Sequence, residues 1–99
     1  MTVVDASVLV TAVADDGADG VFVRDRLRGE DLAAPELIDL EVASVLRRLT
    51  LAGRLTTERA ADALADLGDF AIKRASHRPL LARCWDLRTN MTIYDAAYI

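Results

Sequence analysis

Thr2-Val3-Val4-Asp5, running directly into Ala6-Ser7-Val8-Leu9-Val10-Thr11-Ala12-Val13-Ala14, carries the reading of the fold. Its β-branched opening favours an extended strand, and the run after Asp5 is compatible with a helix. The pair reads as a buried strand feeding a helix over Ala6–Ala14, which Asp15-Asp16-Gly17 closes. A second helix is expected over Ala18–Leu27, where Val21, Phe22 and Leu27 sit among alternating charges. Leu32-Ala33-Ala34 reads as a short second strand that Pro35 stops, because proline has no amide hydrogen to give a neighbour. From Glu36 to Ala52, Ile38, Val42, Val45, Leu46 and Leu49 fall at helical spacing, with Gly53 placed for a left-handed cap. Thr56 or Thr57 caps a helix through Ala60, Ala61, Leu64 and Leu67 to Gly68, with Glu58 and Asp62 on its polar side. Phe70-Ala71-Ile72 is the expected third strand. Pro79 suits the first turn of a helix whose inward stripe is Leu80, Leu81, Cys84 and Leu87 and which Asn90 ends, and Tyr94–Ile99 opens another. Strands alternating with helices, without a repeat or linker, predict an α/β layout around a central parallel sheet covered on both faces.

At 99 residues, 53% of them hydrophobic, the chain can bury one core and is read as a single domain. No apolar run approaches the roughly 18 residues of a membrane span, and no charged-then-apolar leader precedes Val3. The expectation is a soluble, cytoplasmic protein with no membrane association. Cys84 has no cysteine partner, which fits a reducing compartment, and is read as a buried small hydrophobe. A formal charge of −4 argues against holding nucleic acid by bulk electrostatics, so phosphate chemistry here would have to recruit cations locally.

Three acids stand out. Asp5 lies at the carboxyl end of the first strand, where open parallel sheets bind ligands, and equally suits an N-cap for the helix beginning at Ala6. Taking about 100° per residue, Glu41 lies roughly 60° from Ile38, at the margin of the apolar stripe. It is placed either to meet a partner inside or to pair with Arg48 two turns along. Asp39 points away from Arg48 and is read as a solvated first-turn charge. Asp95 falls in the first turn of the final helix, where a dipole or capping role competes with ligation. Together the three offer the hard oxygen donors that suit Mg²⁺ or Mn²⁺, which polarise a phosphodiester and acidify a bound water. His77, the only histidine, is read as a turn residue before Pro79.

The stretch Val3-Val4-Asp5-Ala6-Ser7-Val8-Leu9-Val10 resembles the opening motif of VapC-type PIN domains, whose first acidic metal ligand corresponds to Asp5 and whose small hydroxyl corresponds to Ser7. Ala34-Pro35-Glu36-Leu37 leading to Leu40-Glu41-Val42-Ala43-Ser44-Val45-Leu46 resembles the second motif, with Glu41 as its acid. Asn90-Met91-Thr92-Ile93-Tyr94-Asp95-Ala96-Ala97-Tyr98 is similar to the third, with Asp95 as ligand. The resemblance implies a three-layer α/β/α PIN-like fold and a Mg²⁺- or Mn²⁺-dependent endoribonuclease. It also implies the toxin of a type II toxin–antitoxin pair, with an RNA substrate, a cognate antitoxin and a homodimer. That family continues past this helix to a strand ending in a Thr/Ser-x-Asp motif with a fourth acid. Nothing here occupies that position, so a single PIN-like domain over 1–99 with its last strands missing is expected.

Two other functions compete. One is a non-catalytic PIN-like binding module that engages an antitoxin or partner subunit. The other is a phosphohydrolase with Asp5 as nucleophile, disfavoured because Asp5-Ala6-Ser7 lacks a nearby second aspartate. Arg47, Arg48, Arg54, Arg78, Arg83 and Arg88 are candidates for an RNA track, and Trp85, off the inward stripe, for an interface.

Overall fold

The computed structural model of the chain describes residues 1–98. Along the chain run β1 (Thr2–Val3), α1 (Ala6–Ala14), α2 (Ala18–Leu27), β2 (Leu32–Pro35), α3 (Ile38–Leu51), α4 (Thr57–Asp69) and β3 (Ile72–Ala75). A 3-10 turn over Arg78–Leu80 then leads into α5 (Leu81–Asp86) and α6 (Ile93–Ala96). The strands form one parallel sheet in the order β1-β2-β3, so each strand returns through a helical crossover, as the alternation predicted. β2 is central, and Leu32, Ala33, Ala34 and Pro35 are all buried. The amide of Glu36 donates to the carbonyl of Ala75 (2.9 Å), carrying the ladder one step past Pro35.

Successive strand residues face opposite sides of a sheet. Leu32 and Ala34 meet Leu9, Val13, Ile38, Val42, Leu46, Ala63 and Leu67 in the main core, supplied by α1, α3 and α4. On the other face Val3, Ala33 and Lys73, in register with one another, border a cleft of about 260 Å³ with Leu80, Ala97 and Tyr98. This is an α/β/α layering.

α1 and α2 stand where their sequence patterns put them, whereas the second strand is not stopped by Pro35 but includes it, in register with Ala75, because the missing amide hydrogen costs only one bond and the Glu36 amide resumes the ladder. Gly53 adopts a left-handed φ of 71° after α3, and Thr56 caps α4 by accepting from the Arg59 amide (3.1 Å). Several expectations need correction. β1 is an edge strand: Val3 is 52% exposed and burial begins only at Val4. The third strand is Ile72–Ala75, not Phe70–Ile72, because α4 runs through Gly68 to Asp69 and Phe70 serves as its C-cap. Its charges hid it from a hydrophobic reading. Lys73 is exposed, and Arg74 is neutralised by both carboxylate oxygens of Asp39 (2.8 and 3.0 Å). Asp39 is therefore an ion-pair partner tying α3 to β3 rather than a solvated charge. In α4 the buried positions are Ala60, Ala63 and Leu67, while Ala61 and Leu64 face outward, because small side chains let α4 close on α1. Val21 and Phe22 of α2 are exposed, as are Leu80 and Leu81, and of the stripe around α5 only Cys84 is fully buried. The helix there ends at Asp86, well before Asn90. α6 covers Ile93–Ala96, with Ala97 as its C-cap, so Ala97 and Tyr98 form a turn instead of the helix expected over Tyr94–Ile99, of which Ile99 lies outside the described residues.

The last carbonyls of α1, which lack helical donors, are taken by two arginines. Arg24 Nη1 donates to the carbonyls of Ala12 (3.0 Å) and Asp15 (2.9 Å), and Arg59 Nη2 to that of Val13 (2.9 Å). Arg59 also grips Asp16 through Nε (3.0 Å) and Nη2 (2.9 Å). That hydrogen bond, then the guanidinium charge, holds the Asp16 carboxyl below the usual carboxylate range. The link is thus complete above the unfolded carboxylate pKa and is lost as pH falls through the lowered folded value. α2 approaches α1 so closely that a Cβ on buried Gly20 would collide with the Asp15 carbonyl, whereas one on Gly68 would meet nothing. Gly20→Ala is therefore expected to cost about 1–3 kcal/mol, and Gly68→Ala to add about 0.5–1 kcal/mol. Urea unfolding of both variants checks this, and equal stability would rule out the close approach.

Candidate active site

Asp5 stands between β1 and α1 with extended backbone (φ −103°, ψ 174°) and caps the helix. Its Oδ1 accepts from the Val8 amide (3.0 Å) and from the Ser7 hydroxyl (2.8 Å), while Oδ2 receives no hydrogen bond from the described residues. The capping role is thus real, and it fixes the rotamer of a carboxylate whose second oxygen stays open to other ligands.

Glu41 sits in the first turn of α3, which begins just beyond the carboxyl end of β2. It is half-buried, as its position at the stripe margin predicted, and makes no ion pair with Arg48 among the described residues. Its partner is the hydroxyl of Tyr98, which donates to Oε2 at 2.8 Å. Because Asp5 and Glu41 each follow the carboxyl end of one of two adjacent parallel strands, the topology brings both acids to the same end of the sheet. Tyr98 registers both. Its phenol is pushed well above the ordinary tyrosine range, first by burial, then by the hydrogen bond to Glu41 and by the charges of Glu41 and Asp5. It remains a neutral donor at any physiological pH.

Asp95 occupies the first turn of α6, as expected, with its amide donating to the Thr92 hydroxyl (3.1 Å) and its carbonyl accepting from the Tyr98 amide (3.1 Å). Its carboxylate is exposed. Among the described residues no three His, Cys, Asp or Glu side chains are gathered closely enough to enclose a metal. The hard oxygens of Asp5 and Glu41 suit a divalent cation in chemistry.

Tyr98 escaped the sequence reading as a site residue. The available signal was its place three residues after Asp95, in the turn that follows α6. His77 is exposed and lines a 410 Å³ apolar cavity with Leu37, Leu81, Cys84, Ile93 and Tyr94, apart from the acids. Trp85 is 57% exposed, with the Arg88 guanidinium 4.5 Å from its ring centroid.

The PIN domain family matches residues 2–99 of this chain. The chain belongs to that family. Within it, this PIN domain is 40% identical over 98 residues to Ribonuclease VapC1 of Mycobacterium tuberculosis, an alignment covering 98% of the chain and 74% of the relative. It is 37% identical over 99 residues to VapC ribonuclease Mb0985 of Mycobacterium bovis, covering 100% and 75%. Against Ribonuclease VapC3 of M. tuberculosis the identity is 36% over 97 residues, covering 98% and 71%. The three stretches whose sequence resembles PIN motifs lie at the β1–α1 junction, from the end of β2 into α3, and at the start of α6.

The cap at Asp5 separates two roles of one side chain. Asp5→Ala removes the acceptor and is expected to cost about 1 kcal/mol, whereas Asp5→Asn keeps an oxygen for Val8 and should melt close to the parent. Thermal melting of the pair tests this, and an Ala variant as stable as the parent would reject the cap.

Proposed function

We propose that this PIN domain is a divalent-metal-dependent endoribonuclease, the toxin of a type II toxin–antitoxin pair. The observation that carries the reading is identity of 36–40% along essentially the whole chain to proteins named VapC ribonucleases. The supporting geometry is the placing of Asp5 and Glu41 at one end of a parallel sheet. In this reading Asp5, Glu41 and Asp95 hold Mg²⁺ or Mn²⁺, which when bound neutralises phosphate charge and acidifies water. The work of the chain itself is orientation: Ser7 and the Val8 amide fix Asp5, and Tyr98 fixes Glu41. Arg24, Arg59 and Arg74 are tied into the fold, whereas Arg47, Arg48, Arg54, Arg78, Arg83 and Arg88 are exposed and form the proposed RNA track.

A cognate antitoxin, a homodimer and a cytoplasmic setting belong to the same proposal. Among the described residues no helix is long and apolar enough to cross a membrane. One observation favours a second reading, a non-catalytic module that engages an antitoxin or partner subunit: among the described residues Asp5, Glu41 and Asp95 are not gathered into one cluster.

Glu41→Gln separates the two. The amide oxygen can still accept from Tyr98, and removing a charge beside Asp5 relieves repulsion, so the metal-free variant should be no less stable than the parent. Its Mg²⁺- or Mn²⁺-dependent RNA cleavage should be lost. Undiminished cleavage would refute the assignment of Glu41, and a parent that binds Mn²⁺ without cutting any cellular RNA would select the binding module. For partners, Trp85 fluorescence is expected to change on antitoxin addition or on dilution through the dimer range. Constant emission in both removes Trp85 from any interface.

A further inference from the structure

Of the contacts at the acidic end of the sheet, the hydrogen bond between Tyr98 and Glu41 spans the greatest length of chain, 57 residues. It joins the first turn of α3 to the residue that closes the turn after α6. Tyr98 packs its ring against the main core, so the hydroxyl is delivered from a fixed base rather than from a free tail. Among the described residues the bond falls on Oε2 alone, and Oε1 of Glu41 receives no hydrogen bond from them. The same residue is tied through its amide to the carbonyl of Asp95 (3.1 Å), so the backbone that carries the third acid is anchored by the side chain that orients the second.

We propose that Tyr98 is a positioning residue: its phenol holds Glu41 in an orientation that presents Oε1 to a divalent cation. The inference rests on the metal-dependent reading given above and deepens it. A neutral phenol suits this task because it donates to one carboxylate oxygen without competing as a charge for the other. A lysine or arginine in its place would neutralise Glu41 and repel the ion.

Tyr98→Phe keeps the ring in the core and deletes only the hydroxyl. Mn²⁺ affinity of the full chain, read by calorimetry and by Mn²⁺ electron paramagnetic resonance, should fall about 10- to 100-fold. KM for RNA should stay near the parent value while kcat falls at subsaturating Mn²⁺ and recovers as Mn²⁺ is raised. In a Glu41→Gln background the same change should leave Mn²⁺ affinity unaltered, since the bond it removes no longer orients a carboxylate. A merely structural tyrosine would lower the melting temperature and leave Mn²⁺ affinity of the folded protein unchanged, which would overturn the proposal. So would tighter Mn²⁺ binding, which would mean that the phenol obstructs the ion. Should Tyr98→Phe fail to fold, Tyr94→Phe leaves Tyr98 as the sole tyrosine. Its ultraviolet difference spectrum should then shift on Mg²⁺ addition, and an unchanged spectrum overturns the proposal. Failure of the parent chain to bind Mn²⁺ rejects the metal reading itself, whereas equal affinity of parent and Tyr98→Phe rejects the role of Tyr98 alone.

Discussion

β2 is hydrogen-bonded to parallel neighbours on both edges and buried from Leu32 to Pro35, and the other elements are arranged to meet that demand. A parallel strand cannot be reached by a tight hairpin, so β1 and β3 must each be joined to it by a helical crossover. Those crossovers supply the cover: α1, α3 and α4 contribute Leu9, Ile38, Val42, Leu46, Ala63 and Leu67 against the face that Leu32 and Ala34 present. With no side chain in β2 larger than leucine, helices can lie close to the sheet, and Ala63 serves the same end in α4.

Close packing of short helices leaves carbonyls at their ends, and arginines from neighbouring elements take them. Arg24 and Arg59 cap α1, and Arg74 reaches the Leu67 carbonyl (3.0 Å) near the end of α4 while pairing with Asp39. Each such guanidinium serves a backbone group and bridges two elements, so its worth lies in satisfied polar groups more than in surface charge attraction. These three cations are thereby not free to meet a polyanion.

The same parallel topology organises the candidate site. The chain leaves β1 and β2 at one end of the sheet, and Asp5 and Glu41 lie in the first residues beyond those strands. Each carboxylate has one oxygen engaged, Asp5 by Ser7 and Val8 and Glu41 by Tyr98, so both are oriented without being neutralised. Orientation of that kind is what a cation site requires from its surroundings, because ligands held beforehand lose less freedom on binding.

Local pattern sufficed for α1, α2, the capped start of α4, the α/β class and the half-buried margin occupied by Glu41, because apolar spacing and capping chemistry act over a few residues. It failed where a distant partner changes what a residue means. Lys73 and Arg74 disguised β3 until Asp39, 35 residues earlier, was seen to neutralise one of them. Leu64 reads as opposite the polar side of α4 yet faces outward, since which flank of a helix is covered depends on the neighbour that docks there. Tyr98 is an ordinary aromatic in the sequence and becomes part of the acidic site only when the fold carries it to Glu41, 57 residues away. A periodicity or a cap is written in adjacent residues, whereas a long-range hydrogen bond or ion pair exists only once the chain has closed on itself.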